Sequence, residues 1–297
     1  MTLRTTVLCL LITMLASSCG GGEQSTEQTD SESAAAASSG KIITLHPTIT
    51  EIVFALEAED ELAATDESSK YPKEADQLPK VGYHRMLDAE KLLSYEPGLL
   101  LISPETGPST ALEQVKEAGV KTVLIEPTLE LNQVPDVIIA VGEAIDKGDK
   151  AKAVSDEVSA KIAEVQQNAE AVEDKPRVLT FYDRGGVDRL FLVGSGTAPH
   201  ALVAGAGATP ALDFEGHKSI TSEAVIASDP DYILLPESTL EAVGGVEGLK
   251  EHEILGQTKA AKAGKFVALP SPVFFGLGAH TGETLEKLYK AFHEKAS

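Results

Sequence analysis

The sequence predicts an α/β fold of two lobes, each built on a parallel-rich central sheet, joined by one long bridging helix and enclosing a ligand cleft. Three observations carry that expectation. Short apolar runs of strand length alternate with amphipathic helical stretches, the pattern of parallel strands covered on both faces. The order restarts after Pro176, and residues 221–234 (TSEAVIASDPDYIL) repeat residues 88–101 (DAEKLLSYEPGLLL) as a cap, a short helix, an acid–Pro turn and a buried strand. Between the halves lies a glycine-free stretch rich in Ala, Glu, Lys and Gln. Two Rossmann-like lobes on such a bridge leave a cleft where the C-terminal ends of the strands and their loops converge.

The elements follow in chain order. Arg4 gives a basic start, an apolar run spans residues 7–15, and the small residues Ala16, Ser17 and Ser18 lead to Cys19. This is the layout of a secretory signal over residues 1–18, with an apolar run too short to span a bilayer. The end of that segment resembles a lipoprotein processing box in which Cys19 becomes the acylated first residue, although Ala16 stands where such boxes usually carry Leu. Residues 19–40 contain no large apolar side chain and are expected to form a lipidated, disordered tether. The N-terminal lobe, residues 41–133, opens on the run KIITL at 41–45, followed by a helix capped by Thr48 or Thr50 with Ile49, Ile52, Val53 and Leu56 on one face. Strands at 99–102 and 122–125 flank a helix at about 110–118. The bridging segment, residues 134–175, breaks at Gly148 and continues as one extended helix with Val154, Val158, Ile162 and Val165 at helical spacing. The C-terminal lobe, residues 176–297, has strands at 177–182, 190–193, 232–235 and 266–269, a helix at 200–206 and a last helix at about 281–294.

Composition narrows the function. The chain carries 46 acidic against 25 basic residues, a formal charge of −21, which argues against nucleic acid and anionic lipid surfaces as partners. Of the two cysteines, Cys9 lies in the apolar signal run and Cys19 at its end, so the mature chain has no thiol for a disulfide or a Cys-ligated metal. There is no Gly-x-Ser-x-Gly elbow and no Cys nucleophile, and Gly194–Ser195–Gly196–Thr197 lacks the Lys–Ser/Thr pair of a phosphate loop. The expectation is a binding protein and not an enzyme.

From residue 41 on, the two-lobe plan with a bridging helix resembles the solute-binding proteins of ABC importers for metal chelates: cobalamin, ferric siderophores and haem. The segments DESSKYP (66–72), LPKVGYHR (78–85), GSGT (194–197) and GGVEGL (244–249) are similar to the haem branch. The resemblance implies an exported, lipid-anchored monomer on the periplasmic or cell-surface side that captures ferric haem b and delivers it to an ABC importer permease. The anchor is the only expected membrane contact. It further implies Tyr71 as the iron ligand, since a phenolate is a hard anionic donor suited to ferric iron, with the cations Lys70 and Arg85 favouring the anion. Glu90 and Glu223, at the same place in each repeat, match the one exposed acid per lobe that docks onto a permease dimer. They are also acids in a helix's first turn, which the dipole alone favours.

Three histidines depart from the family pattern. His46 and His84 stand where glycine and a hydrophobic residue are usual, and His280 ends FGLGAH (275–280) where Gly-Pro-Arg is usual. All three are expected on loops facing the cleft. Two readings follow: His84 serves as a second metal ligand or stacking partner, or His46, His84 and His280 with a carboxylate such as Asp66 bind a bare divalent metal. Without an arginine at 280, Arg85, Lys70 and Arg184 are the candidates for haem propionates. Phe274, Phe275 and Leu277 offer apolar surface for a porphyrin face, and core packing explains them equally well.

Overall fold

The computed structural model describes residues 41–184, 190–219 and 221–294. The expected signal segment and tether, with Cys19, lie outside the described residues.

Among the described residues, ten strands form two sheets. Strands β1 (Lys41–Thr44), β2 (Leu62–Thr65), β3 (Pro97–Ile102) and β4 (Lys121–Leu124) make an all-parallel sheet of order β2-β1-β3-β4. The second contains β5 (Arg177–Asp183), β6 (Leu190–Val193), β7 (Thr209–Pro210), β8 (His217–Ser219), β9 (Tyr232–Pro236) and β10 (Phe266–Leu269) in the order β10-β9-β5-β6-β8, with β7 on β5. Its β10-β9-β5 half is parallel and its β5-β6-β8 edge antiparallel.

Alternation along the central strands explains why these runs are apolar throughout. Leu99 and Leu101 of β3 face one core while Leu100 faces another, and in β9 Leu234 turns away from Ile233 and Leu235. Both faces of each sheet are thus buried. The core holding Leu99, Leu101 and Leu234 also takes in Val158, Ile162 and Val165 of the helix Gly148–Glu170. That helix runs for 23 residues, roughly 35 Å, and packs against the helices Val134–Ala144 and Thr281–His293. Gly142 permits the tight turn between the first two, since a Cβ there would overlap the Cβ of Ala151.

The repeat is visible in the backbone. Asp88 and Thr221 cap matching helices, Ala89–Leu93 and Ser222–Ser228, by accepting from the amides of Lys91 (2.8 Å) and Ala224 (3.4 Å). Glu96 and Asp229, each just before a proline, both take left-handed φ values of 49° and 38°, and β3 and β9 follow.

One local expectation is corrected, and two strands were not anticipated. The first helix, Pro47–Ala55, is capped by His46, whose Nδ1 accepts from the Thr48 amide (3.3 Å). Pro47 occupies the first helical position, so the cap falls on the residue before it. The hydroxyl of buried Thr50 instead joins Thr44 and Ser69 at 2.7 Å each. Strand β2 (LAAT) is too short and Ala-rich to stand out as a strand, and β8 (HKS) is an exposed polar edge with no apolar signal.

Candidate functional site

Strand C-terminal ends from both sheets converge on one cleft. After β1 comes His46, after β2 the segment from Asp66 to Lys70, and after β3 Glu105; opposite them, β5 delivers Tyr182 and Arg184, and β10 leads to Phe275. The cleft holds a cavity of about 780 Å³, within the usual size for small-molecule sites. One wall carries His46, Tyr83 and His84, and the other Tyr182, His217 and Phe275, so ring surface faces ring surface. Tyr182 meets His217 and Phe275 edge-on, with centroids 5.5 and 5.2 Å apart.

The most constrained group is His84, only 5% exposed. Its Nδ1 lies 3.0 Å from Oδ2 of fully buried Asp66. Asp66 also accepts from the Ser68 amide at 3.0 Å and from the Ser68 and Ser69 hydroxyls. Burial works against this carboxylate, but the bonds from His84, Ser68 and Ser69 outweigh it and hold its pKa below the usual value. An ionised carboxylate only accepts, so whichever proton the imidazole keeps when neutral is the one on Nδ1. The lone pair is then on Nε2, a buried atom with no hydrogen-bond partner. A carboxylate behind one ring nitrogen and a vacant lone pair on the other is the arrangement that orients metal-ligating histidines. His46 stands beside it, ring centroids 5.9 Å apart. Burial and then neighbouring His84 push His46 down to about 4, leaving it neutral at pH 7.

Cations frame the same cavity. Lys70 and Arg85 line it from the N-terminal wall and Arg184 from the opposite one. Arg85 is ion-paired with Glu105, and Arg184 lies 5.8 Å over the Phe191 ring. His217 is held below its ordinary pKa by partial burial and then by Arg184. Of the three apolar residues open to either a ligand or a core role, Phe275 lines the cleft, whereas Phe274 and Leu277 are core.

The structure does not bring Tyr71 or His280 to this cavity. Both line a separate one of about 460 Å³ with Glu51, Phe54 and Glu283 among its walls. Burial, and then the charges of Glu51 and Glu283, raise the Tyr71 pKa, so its surroundings hold the phenol protonated. Lys70 and Arg85, expected to favour the anion, face the cleft instead. His280 is 6% exposed; its Nδ1 is 2.6 Å from Glu51 Oε2, and its amide donates to Glu51 Oε1 at 2.7 Å. The expected convergence of His46, His84 and His280 on a bare metal is therefore corrected, and no group of three or more His, Cys, Asp or Glu able to hold a metal ion occurs among the described residues. Glu90 and Glu223 are exposed in the first turns of the repeated helices.

Sequence reasoning missed Tyr182, His217 and Glu105. The position of Tyr182 at the end of an apolar strand was a usable signal; His217, on a polar edge strand, had none.

Comparison with known proteins places this geometry. The model of the family described as "Periplasmic binding protein" matches residues 42–273. Among solved structures, the periplasmic haem-binding protein RhuT from Roseiflexus sp. RS-1, in apo form, is 33% identical with a TM-score of 0.79, covering 86% of this chain and 98% of that one. The ABC transporter substrate-binding lipoprotein YvrC of Bacillus subtilis (strain 168) is 26% identical over 65% of this chain and 62% of its own length. The vitamin B12-binding protein of Vibrio parahaemolyticus serotype O3:K6 (strain RIMD 2210633) is 38% identical over 27% of this chain and 29% of its own. The chain thus spans less than two thirds of the length of these two curated relatives.

Proposed function

Because this chain belongs to the periplasmic binding protein family, matched over residues 42–273, we propose that it captures ferric haem in the cleft between its two sheets and hands it to an ABC importer. The carrying observation is buried His84, held by Asp66 through Nδ1 and left with an unpartnered Nε2 at the cleft. In this reading His84 ligates the iron. The ring-bearing walls take the two faces of the macrocycle, and Arg85, Lys70 and Arg184 take the propionates as charge-assisted hydrogen bonds. Tyr71 and His280 belong to the second cavity and are left out of the ligand set. The haem-binding relative at 33% identity supports the ligand class.

Delivery completes the proposal. The protein is exported and tethered through acylated Cys19, works as a monomer, and performs capture and release without turnover. Glu90 and Glu223, exposed on repeated helices, dock onto the two halves of a permease dimer.

The test is an absorption titration of the purified protein with ferric haem. The expected result is a saturable one-to-one Soret change with histidine-type ligation, weakened about tenfold or more by His84→Ala and unaffected by Tyr71→Phe. Phenolate charge-transfer bands that vanish in Tyr71→Phe would move the iron to the other cavity; bands that vanish in Tyr83→Phe would assign it to the exposed cleft tyrosine. No saturable change refutes haem as the ligand. Cobalamin is the second reading, favoured by the relative that is 38% identical over its matched segment, and competition in the same titration decides between them.

A further inference from the structure

The unpartnered nitrogen of His84 is not open to the cleft. Glu105 Oε2 lies 3.9 Å from His84 Nε2, and the same oxygen is ion-paired with Arg85 Nη2. One carboxylate oxygen therefore pairs with one of the groups that the reading above gives to the ligand and stands beside the other, the first meant for its carboxylate and the second for its metal. The backbone beneath this arrangement is stitched together. The Gly107 amide donates to the His84 carbonyl at 2.9 Å, the Leu87 amide to the Gly107 carbonyl at 3.0 Å, and the Ser103 amide to the Thr106 hydroxyl at 3.0 Å. The loops carrying His84, Arg85 and Glu105 are thus tied to one another through the backbone, whereas the Glu105 side chain is 54% exposed and held by its pairing with Arg85. Arg85 is 51% exposed, and an ion pair this open to water is cheap to break.

We propose that Glu105 is a ligand-displaced lid that determines specificity: its carboxylate neutralises Arg85 and covers His84 Nε2 until a chelate carrying both a carboxylate and an open metal position replaces it at both atoms. The proposal rests on the reading that the cleft takes such a chelate. A chelate with a carboxylate but no open metal position exchanges with Glu105 only at Arg85. A chelate without carboxylates leaves Arg85 and Glu105 paired, with the carboxylate still over the histidine. Exchange of one carboxylate for another at Arg85 conserves charge there, so displacement proceeds without stranding a cation in the cleft.

Two measurements on the full chain test this. The first labels ligand-free protein with diethyl pyrocarbonate and reads modification of His84 by peptide mass spectrometry. Modification is expected to rise several-fold in Glu105→Ala relative to wild type, with His217 as the internal standard. The second measures ferric haem affinity and association rate. Glu105→Ala is expected to bind roughly 2–5-fold tighter, the size of a lost exposed ion pair, and the gain is expected to disappear in an Arg85→Ala background. Unchanged His84 labelling, or weaker haem binding in Glu105→Ala, overturns the lid. Haem binding by the wild type with no change in Glu105→Ala overturns the lid alone. A wild-type chain that takes up no haem overturns the functional reading instead, and the labelling then still decides whether Glu105 covers His84.

Discussion

Breaking the Glu51–His280 pair should destabilise the protein more than any change at the cleft surface. Glu51 is 5% exposed on the helix Pro47–Ala55, which packs under the first sheet, while His280 directly precedes the helix Thr281–His293 at the other end of the chain. The carboxylate receives Nδ1 at 2.6 Å and the His280 amide at 2.7 Å. Gly278 leaves it room, since a Cβ there would overlap Glu51 Oε2. Burial lowers the His280 pKa, but the Glu51 charge and hydrogen bond, with the Gly276 and Val273 carbonyls, outweigh it and raise it above 6.5. Removing one partner of a buried pair costs about 3–5 kcal/mol, because the other is left uncompensated. For a domain of this size that is roughly 6–20 °C in Tm. A raised folded pKa means the stabilisation is fully present below about pH 6.5 and fades as pH rises through the folded value. Urea unfolding at a series of pH values, with Glu51→Ala, His280→Ala and the double variant, measures both. The double variant should cost little more than either single one. Additive losses of under about 1 kcal/mol each, or a wild-type stability that does not fall on the alkaline side, would refute the reasoning.

Other predictions follow from the cleft. Asp66→Asn should weaken chelate affinity about 10–100-fold by releasing the orientation of His84, read by absorption titration. His46, with its pKa near 4 in the fold, should show an NMR titration midpoint about two units below a free histidine. Because that pKa is depressed, its contribution of up to about 3 kcal/mol is present above pH 6.5 and is lost as pH falls towards 4, so His46→Gln should flatten the acid limb of the stability curve. Glu90→Ala and Glu223→Ala should each lower uptake in a reconstituted transport assay, and the double variant more, with chelate affinity unchanged.

Much of the fold was legible because buried parallel strands are written as plain apolar runs. KIITL, LLLI, YILL and FVAL were all read, and the repeated acid–Pro turn placed two of them in matching positions. What was not legible depends on partners distant in sequence. Lys70 and Tyr71 are neighbours, yet one lines the cleft and the other a separate cavity. Which way each side chain points is decided by the helix Pro47–Ala55 and the segment around Ala279, more than two hundred residues apart. A motif therefore marks the loop but does not say which of its residues faces the cleft. His280 is the same case: its partner, Glu51, lies 229 residues away.

The helix Pro47–Ala55 links these two observations mechanically. Its cap, His46, stands at the cleft beside His84, and Glu51, just over one turn further on, is held by His280. Nine residues of hydrogen-bonded helix do not stretch, so the N-terminal wall cannot move far from the residues around His280 without exposing a buried carboxylate. The helix Gly148–Glu170 adds a second constraint, because its buried face joins both sheets in one core. Closure of the cleft should then be small, and ligand selection should come from side chains such as Glu105, Arg85 and His217. Small-angle scattering with and without ferric haem should give superimposable curves in the wild type. A haem-dependent contraction in Glu51→Ala alone would identify the Glu51–His280 pair as what holds the cleft open, whereas contraction in the wild type would show that neither helix restrains it.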